Sequence, residues 1–182
     1  LWLLRALVTL PLVLPPVVGG VALLLAFGRN GYVGRYLSDW FGIELPFTQP
    51  GIVLAQAFVA LPFFVVTVEG ALRSSDLGLE EAAASLGASR WRVFSRVSLP
   101  LIVPSLIAGT VLSWARALGE YGATVIFGGN RPGVTRTLPT AVVTAFENDP
   151  ESAIAISLPL LLVAVLVVAG LRDQWLRPGA SA

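Results

Sequence analysis

The chain predicts an all-α, polytopic membrane helix bundle, and three observations carry that reading. Of its 182 residues 55% are hydrophobic and only 13% charged, with mean hydropathy +0.81, whereas a soluble domain carries about a quarter charged residues. Four uncharged runs, Ala6–Gly28, Leu45–Val68, Val97–Ala115 and Ser152–Leu171, approach or exceed the roughly 20 residues a helix needs to cross a ~30 Å hydrocarbon core. The runs are apolar all round, as in Leu160-Leu-Leu-Val-Ala-Val-Leu-Val-Val168. A spanning barrel would instead alternate apolar and polar residues over strands of about ten. Lipid offers no partner to an unpaired backbone group, so these runs should be helices.

The first run, Ala6–Gly28, contains Pro11, Pro15 and Pro16. Proline removes a backbone donor and kinks a helix. Pro15 and Pro16 are either ordinary membrane-helix prolines or a break that lines a pathway. The chain starts at Leu1 rather than methionine, with no charged leader ahead of the apolar stretch. A signal peptide is therefore not read, and the expectation is a chain that lacks its true N-terminus. The following loop, Arg29–Pro46, carries Tyr32, Tyr36, Trp40 and Phe41, with Phe47 just beyond. Such aromatics suit a membrane–water boundary or a contact with an external protein.

The second run, Leu45–Val68, holds Pro62, and Glu69 follows it in a snorkelling or loop-facing position. A polar insert comes next. Leu79, Ala83 and Leu86 recur at i, i+4 and i+7 on one face of a short helix, and Glu80 and Glu81 near its start complement the helix dipole. Gly87 suits the helix end, Ser89 is placed to cap a second short helix, and Trp91 and Phe94 share a face. Pro100 is expected to open the third span. The insert either docks on another protein or folds back on its own bundle.

The third run carries Pro104 and leads to Arg116 and Glu120, charges four residues apart that can pair on one helix. A charge at membrane depth is costly and usually faces the bundle interior. The pair is either structural, each charge neutralising the other, or functional, with Arg116 attracting an oxyanion or Glu120 holding a gate. Gly119–Gly133 is too glycine-rich for a regular span, and Thr137–Phe146 is uncharged but too short to cross. This region is expected to contribute to a translocation path, with Asn130, Thr135 and Thr137 offering neutral hydrogen bonds or capping the short helix. The fourth run contains Pro159, and Pro178–Ala182 is expected to form a frayed tail.

Arginine sets the orientation. Arg5, Arg73, Arg90, Arg92, Arg96, Arg172 and Arg177 fall on one side, against Arg29, Arg35, Arg131 and Arg136 on the other. The larger group places the polar insert in the cytoplasm and Arg29–Pro46 outside. With no cysteine and no histidine, disulfides, zinc sites and His-based catalysis lose their usual residues, so no metal site and no catalytic residue is expected. A net charge of +1 gives no field for nucleic acid. No internal repeat is evident, so an inverted-repeat secondary transporter gains no support. Nor does the sequence hold a Gly-x4-Gly-Lys-Ser/Thr phosphate loop.

The spacing Glu81-Ala82-Ala83-x-x-x-Gly87, followed by Phe94 and Leu99-Pro100, resembles the cytoplasmic loop signature of ABC-importer permeases. Leu10–Val18, Arg116–Thr124 and Gly129–Pro139 are similar to the molybdate branch, with sulfate and thiosulfate permeases next. The resemblance implies a type I permease fold in one transmembrane domain, 1–182, lacking its first membrane helix, in the bacterial cytoplasmic membrane. It implies a coupling loop over about 76–97, with Glu81, Ala82, Ala83, Gly87, Trp91 and Phe94 against a separate ABC ATPase subunit that binds the ATP. No cofactor of the chain's own is implied. A second permease copy and an external oxyanion-binding protein would complete the machine, with Pro15, Pro16, Arg116, Glu120, Asn130, Thr135 and Thr137 as translocation-path candidates. An intramembrane enzyme and a purely structural membrane subunit are the readings from other classes.

Overall fold

A computed structural model describes residues 2–176, except the side chains of Leu77 and 172–176. The expectation for the tail Pro178–Ala182 and the placement of Arg172 and Arg177 lie outside what is described. Among the described residues every regular element is helical. The order is α1 (Trp2–Val13), α2 (Pro16–Phe27), α3 (Gly34–Phe41), α4 (Gln49–Ser74), α5 (Leu77–Ser85), α6 (Arg90–Val93), a π segment (Phe94–Ser98), α7 (Leu99–Leu118), α8 (Gly122–Phe127), α9 (Leu138–Asn148) and α10 (Pro150–Leu176). The chain divides into two compact units. Phe63–Ser113 forms one; the stretch up to Pro62 together with the stretch from Trp114 onward forms the other.

Among the described residues three helices are long and apolar enough to cross a membrane: Gln49–Ser74, Arg90–Leu118 and Pro150–Leu171. In the first run the break weighed at Pro15 and Pro16 is present. The run is two helices of 12 residues each, too short to span. Pro15, in extended conformation at φ −54° and ψ 134°, separates them, and Pro16 starts α2. Two successive prolines leave two backbone nitrogens without hydrogens, and the first also pushes the residue before it away from helical geometry. By contrast α1, α4, α7 and α10 continue through Pro11, Pro62, Pro104 and Pro159.

A correction concerns Pro100. It does not open a span; the helix already runs from Arg90, so the second short helix and the third span are one element. The π segment lies immediately before the proline, and the Leu99 N–H donates to the Phe94 carbonyl five residues back. A π turn inserts one residue into the ladder, which gives the missing donor and the ring of Pro100 a place in an otherwise continuous helix.

Small residues set the packing. In the larger unit α8 lies against α2. A Cβ on Gly122 would stand 2.9 Å from the Pro16 Cβ, and one on Gly20 would stand 2.8 Å from the Ile126 Cβ. Leu23, Ala55, Val59, Ala123 and Phe127 make the core there, with Phe27, Leu45 and Phe58 packed around them. In the smaller unit Gly109 of α7 meets Thr67 and Phe64 of α4. Close backbone approach at small residues is how helices associate where no hydrophobic drive separates protein from lipid.

The last span begins at Pro150, two residues before the uncharged run. Asp149 accepts hydrogen bonds from the Glu151 N–H at 3.2 Å and from the Ser152 hydroxyl, capping a helix that has proline in its first turn. Those hydrogen bonds, the Ser152 hydroxyl foremost, hold the Asp149 carboxyl below its usual pKa.

Candidate functional site

The polar insert folds as a capped turn-and-helix element within the smaller unit. Asp76 caps α5, its carboxylate accepting from the Gly78 N–H at 2.8 Å. Gly87 sits at φ +83°. The Gly87 N–H donates to the Ala84 carbonyl at 2.9 Å and the Ala88 N–H to the Ala83 carbonyl at 3.1 Å, the paired bonds of a Schellman ending. An L side chain at φ +83° is strained whatever the space, which is why glycine is needed here. Ser89 stands at the start of α6 in extended conformation, yet its side chain makes no capping bond. The expected Ser89 cap is thus present in position and absent in chemistry.

The face expected on α5 is open. Leu79 and Leu86 are exposed, Leu86 at 89%, and Ala83 is half-buried. Trp91 is 74% exposed and its ring centroid lies 5.8 Å from that of Phe94, also exposed. Glu81, Ala82 and Gly87 are exposed as well. Arg90, Arg92 and Arg96 are exposed and make no ion pair among the described residues. Between α5 and the Arg90–Ser98 turns lies a groove of about 450 Å³, lined by Leu72, Glu80, Glu81, Val93, Phe94 and Ser98 among others. Backbone groups are satisfied locally while large apolar side chains face outward, an arrangement that suits docking. Sequence reading missed the Ser98 hydroxyl, which donates to Glu80 Oε1 at 2.7 Å. Eighteen residues separate the two, so no local periodicity could reveal the bond.

The Gly119–Phe146 region has the opposite character. Arg116 Nη2 and Glu120 Oε2 are 2.8 Å apart, with the Glu120 side chain only 1% exposed. Its other oxygen, Oε1, accepts from the Ala123 N–H at 2.8 Å. Glu120 therefore holds the start of α8 as well as the guanidinium. Pro16 contacts the same turn through Gly122, and Pro15 precedes it on the chain. Asn130 donates from Nδ2 to the Thr144 hydroxyl at 2.7 Å and accepts from Arg136 Nε at 3.0 Å. The buried Thr135 hydroxyl accepts from the Arg131 N–H at 3.0 Å. Thr137 caps α9 in a reciprocal box with Thr140. Of the seven candidates the fold brings Pro16, Arg116 and Glu120 to one turn. It groups Asn130, Thr135 and Thr137 in the loop before α9, where their polar atoms are engaged with the loop and with α9. Thr140 and Thr144, one turn apart on α9, complete that network; they lie inside the short apolar helix and carry no outward sequence signal.

The aromatic loop folds into α3, where Arg35 stacks 4.6 Å above Tyr36 and Tyr36 meets Trp40 edge-on at 5.6 Å. At the end of α4, Glu69 pairs with Arg73 at 2.7 Å.

Comparison with known proteins agrees with this geometry. Residues 2–178 match the family described as "Binding-protein-dependent transport system inner membrane component". The chain is 53% identical over 92% of its length to the molybdenum transport system permease protein ModB of Mycobacterium tuberculosis, and spans 63% of that protein. It is 46% identical to the Escherichia coli protein of the same name, covering 96% of this chain and 76% of the relative. A sulfate transport system permease protein, CysW of Synechocystis, is 39% identical over 91% of the chain and 60% of the relative. Helical in every regular element among the described residues and matched by the family model from residue 2 to residue 178, the chain belongs to the inner-membrane components of binding-protein-dependent transport systems.

Proposed function

We propose that this chain is the permease subunit of an ATP-driven importer for molybdate, with tungstate as a near-isostere. One observation carries the mechanism: the insert over about 76–97 is locally satisfied in its backbone and leaves Leu79, Leu86, Trp91 and Phe94 exposed. An element of that kind is complete only against a partner. A separate ATPase subunit would receive Leu79, Leu86, Trp91 and Phe94, with Glu81, Ala82, Ala83 and Gly87 forming the helix and its ending. ATP-driven closure of two such subunits would move the attached spanning helices between inward- and outward-open states. Two identical permease copies, each a single working domain, would surround the path, and an external binding protein would deliver the anion. The substrate rests on similarity: 53% and 46% identity to molybdenum permeases against 39% to a sulfate permease.

The Arg116–Glu120 pair suits such a path. A conduit for a dianion must not trap it, and a guanidinium offset by a carboxylate attracts less strongly than a free one. Asn130, Thr135 and Thr137 act in this reading as the frame of the loop rather than as open ligands.

The test is uptake by the complete permease reconstituted with its ATPase and binding protein, with molybdate, tungstate and sulfate in competition. Molybdate and tungstate should compete equally and sulfate poorly. Sulfate outcompeting molybdate at equal concentration would move the chain to the sulfate branch, and no ATP-dependent anion uptake would overturn the importer reading. Orientation is tested separately: cysteines placed at Ser89 and Ser38 should label from opposite sides of the membrane, the first from the cytoplasm.

A further inference from the structure

Within its unit the docking helix α5 packs on the Arg90–Ser98 turns of the next helix, and two further links can be named. One is the turn at Gly87, where a Cβ would meet nothing within 4 Å. A turn with open space around it transmits direction poorly. The second is the hydrogen bond from Ser98 to Glu80, 2.7 Å long, made by a serine only 5% exposed. The groove between the helices leaves side-chain interlock incomplete. The bond crosses that groove from the first turn of α5 to the last residue of the π segment. Its acceptor is a carboxylate, so the bond is charge-assisted and short. Glu80 makes no ion pair among the described residues, although Arg90 lines the same groove.

From this geometry we infer that Glu80 and Ser98 are positioning residues for energy coupling: they tie the docking helix to the membrane helix so that displacement of α5 is delivered at the π segment. Neither belongs to the exposed docking face. The inference rests on the permease reading and adds the place where force enters the membrane.

The chain has no cysteine, so spin labels at Ser85→Cys on α5 and Val103→Cys on α7 report one distance by pulsed electron resonance in the assembled transporter. That distance should be narrowly distributed with Glu80 and Ser98 intact and should broaden in Ser98→Ala and in Glu80→Leu. In the same complexes ATP hydrolysis should persist while anion transported per ATP falls by about tenfold, within the usual range of coupling energies. Ser98→Thr retains the hydroxyl and Glu80→Gln an acceptor oxygen, so both should stay near wild type. The Ser98→Ala/Glu80→Leu double variant should be no worse than either single change, because the two residues form one interaction. An unchanged distance distribution in Ser98→Ala overturns the tie. A broadened distribution with unchanged transport per ATP overturns its role in coupling. Absence of ATP-driven uptake with the unsubstituted chain overturns the importer reading instead, and leaves the distance measurement to judge the tie alone.

Discussion

The polar insert and the Gly119–Phe146 region contain similar residue types in different states. In the insert, polar groups are satisfied by local caps and the large apolar side chains remain outside: Leu86 is 89% and Trp91 74% exposed. In the second region Ala123 and Phe127 are fully buried and polar side chains close on one another, while Leu138 and Phe146 stay exposed. The contrast distinguishes two kinds of conspicuous residue. An aromatic that stays largely exposed, as Trp91 does beside Phe94, is available to another molecule. A buried charge with its hydrogen bonds filled points inward to the fold. Residue type alone does not separate these cases.

The sharpest way to break the comparison is Glu120→Ala. It would leave the half-buried Arg116 without its carboxylate and the start of α8 without its acceptor. Removing one partner of a buried pair costs about 3–5 kcal/mol. Thermal unfolding in detergent should show a loss in that range, reduced toward its lower end by the exposed part of Arg116. A loss below about 1 kcal/mol would assign Glu120 to the path rather than to the fold.

Trp91→Ala should behave in the opposite way. Its ring is largely exposed, so the stability of the permease alone should change by no more than about 0.5 kcal/mol. Affinity for the ATPase subunit should fall by about 2 kcal/mol, the scale of an aromatic anchor. Titration of the purified ATPase against the variant in lipid discs reads this directly. A destabilised permease with unchanged affinity would reverse the assignment.

A smaller effect compares two helix starts. Thr137 makes a full capping box, whereas Ser89 occupies the cap position without a bond. Thr137→Ala should therefore cost about 1 kcal/mol, and Ser89→Ala only a few tenths on the same scale. Equal losses in unfolding experiments would mean that Ser89 forms its cap in solution.

The smallest effect is on acid titration at Asp149. Its native pKa lies below the ordinary 3.8 chiefly through the Ser152 hydroxyl. A lowered native pKa contributes stability that is present above the unfolded value and lost as pH falls through the native one. Ser152→Ala should raise the Asp149 pKa toward its ordinary value. The small stability difference between the two proteins should persist near neutral pH and vanish in strong acid. Isotope-edited infrared spectroscopy of the carboxylate would follow this, and a pKa unmoved by the substitution would contradict the hydrogen-bond cause.

Much of the fold was legible because it depends on local or one-dimensional properties. Uncharged length identified three spanning helices, since a bilayer imposes one dimension on any helix that crosses it. Gly87 was legible as a helix ending because only glycine takes that backbone angle without strain. The Arg116–Glu120 pair followed from a four-residue spacing. Other outcomes belong to tertiary structure. Sequence left open whether Pro15 and Pro16 merely kink the Ala6–Gly28 run or break it, and the structure divides it there into two helices of 12 residues each. Pro100 looked like a helix start, and the π segment absorbed it instead. Whether Asn130, Thr135 and Thr137 faced a path or closed a loop depended on partners such as Thr144, fourteen residues from Asn130. The Ser98–Glu80 tie spans eighteen residues. Sequence by itself determined the three segments long and apolar enough to cross a membrane and where the first short helix of the polar insert ends, because hydropathy and backbone angle are properties of the residues in place. Only tertiary structure decided which polar groups were already engaged, because a hydrogen bond requires two groups to meet and their meeting is set by the packing of helices distant along the chain.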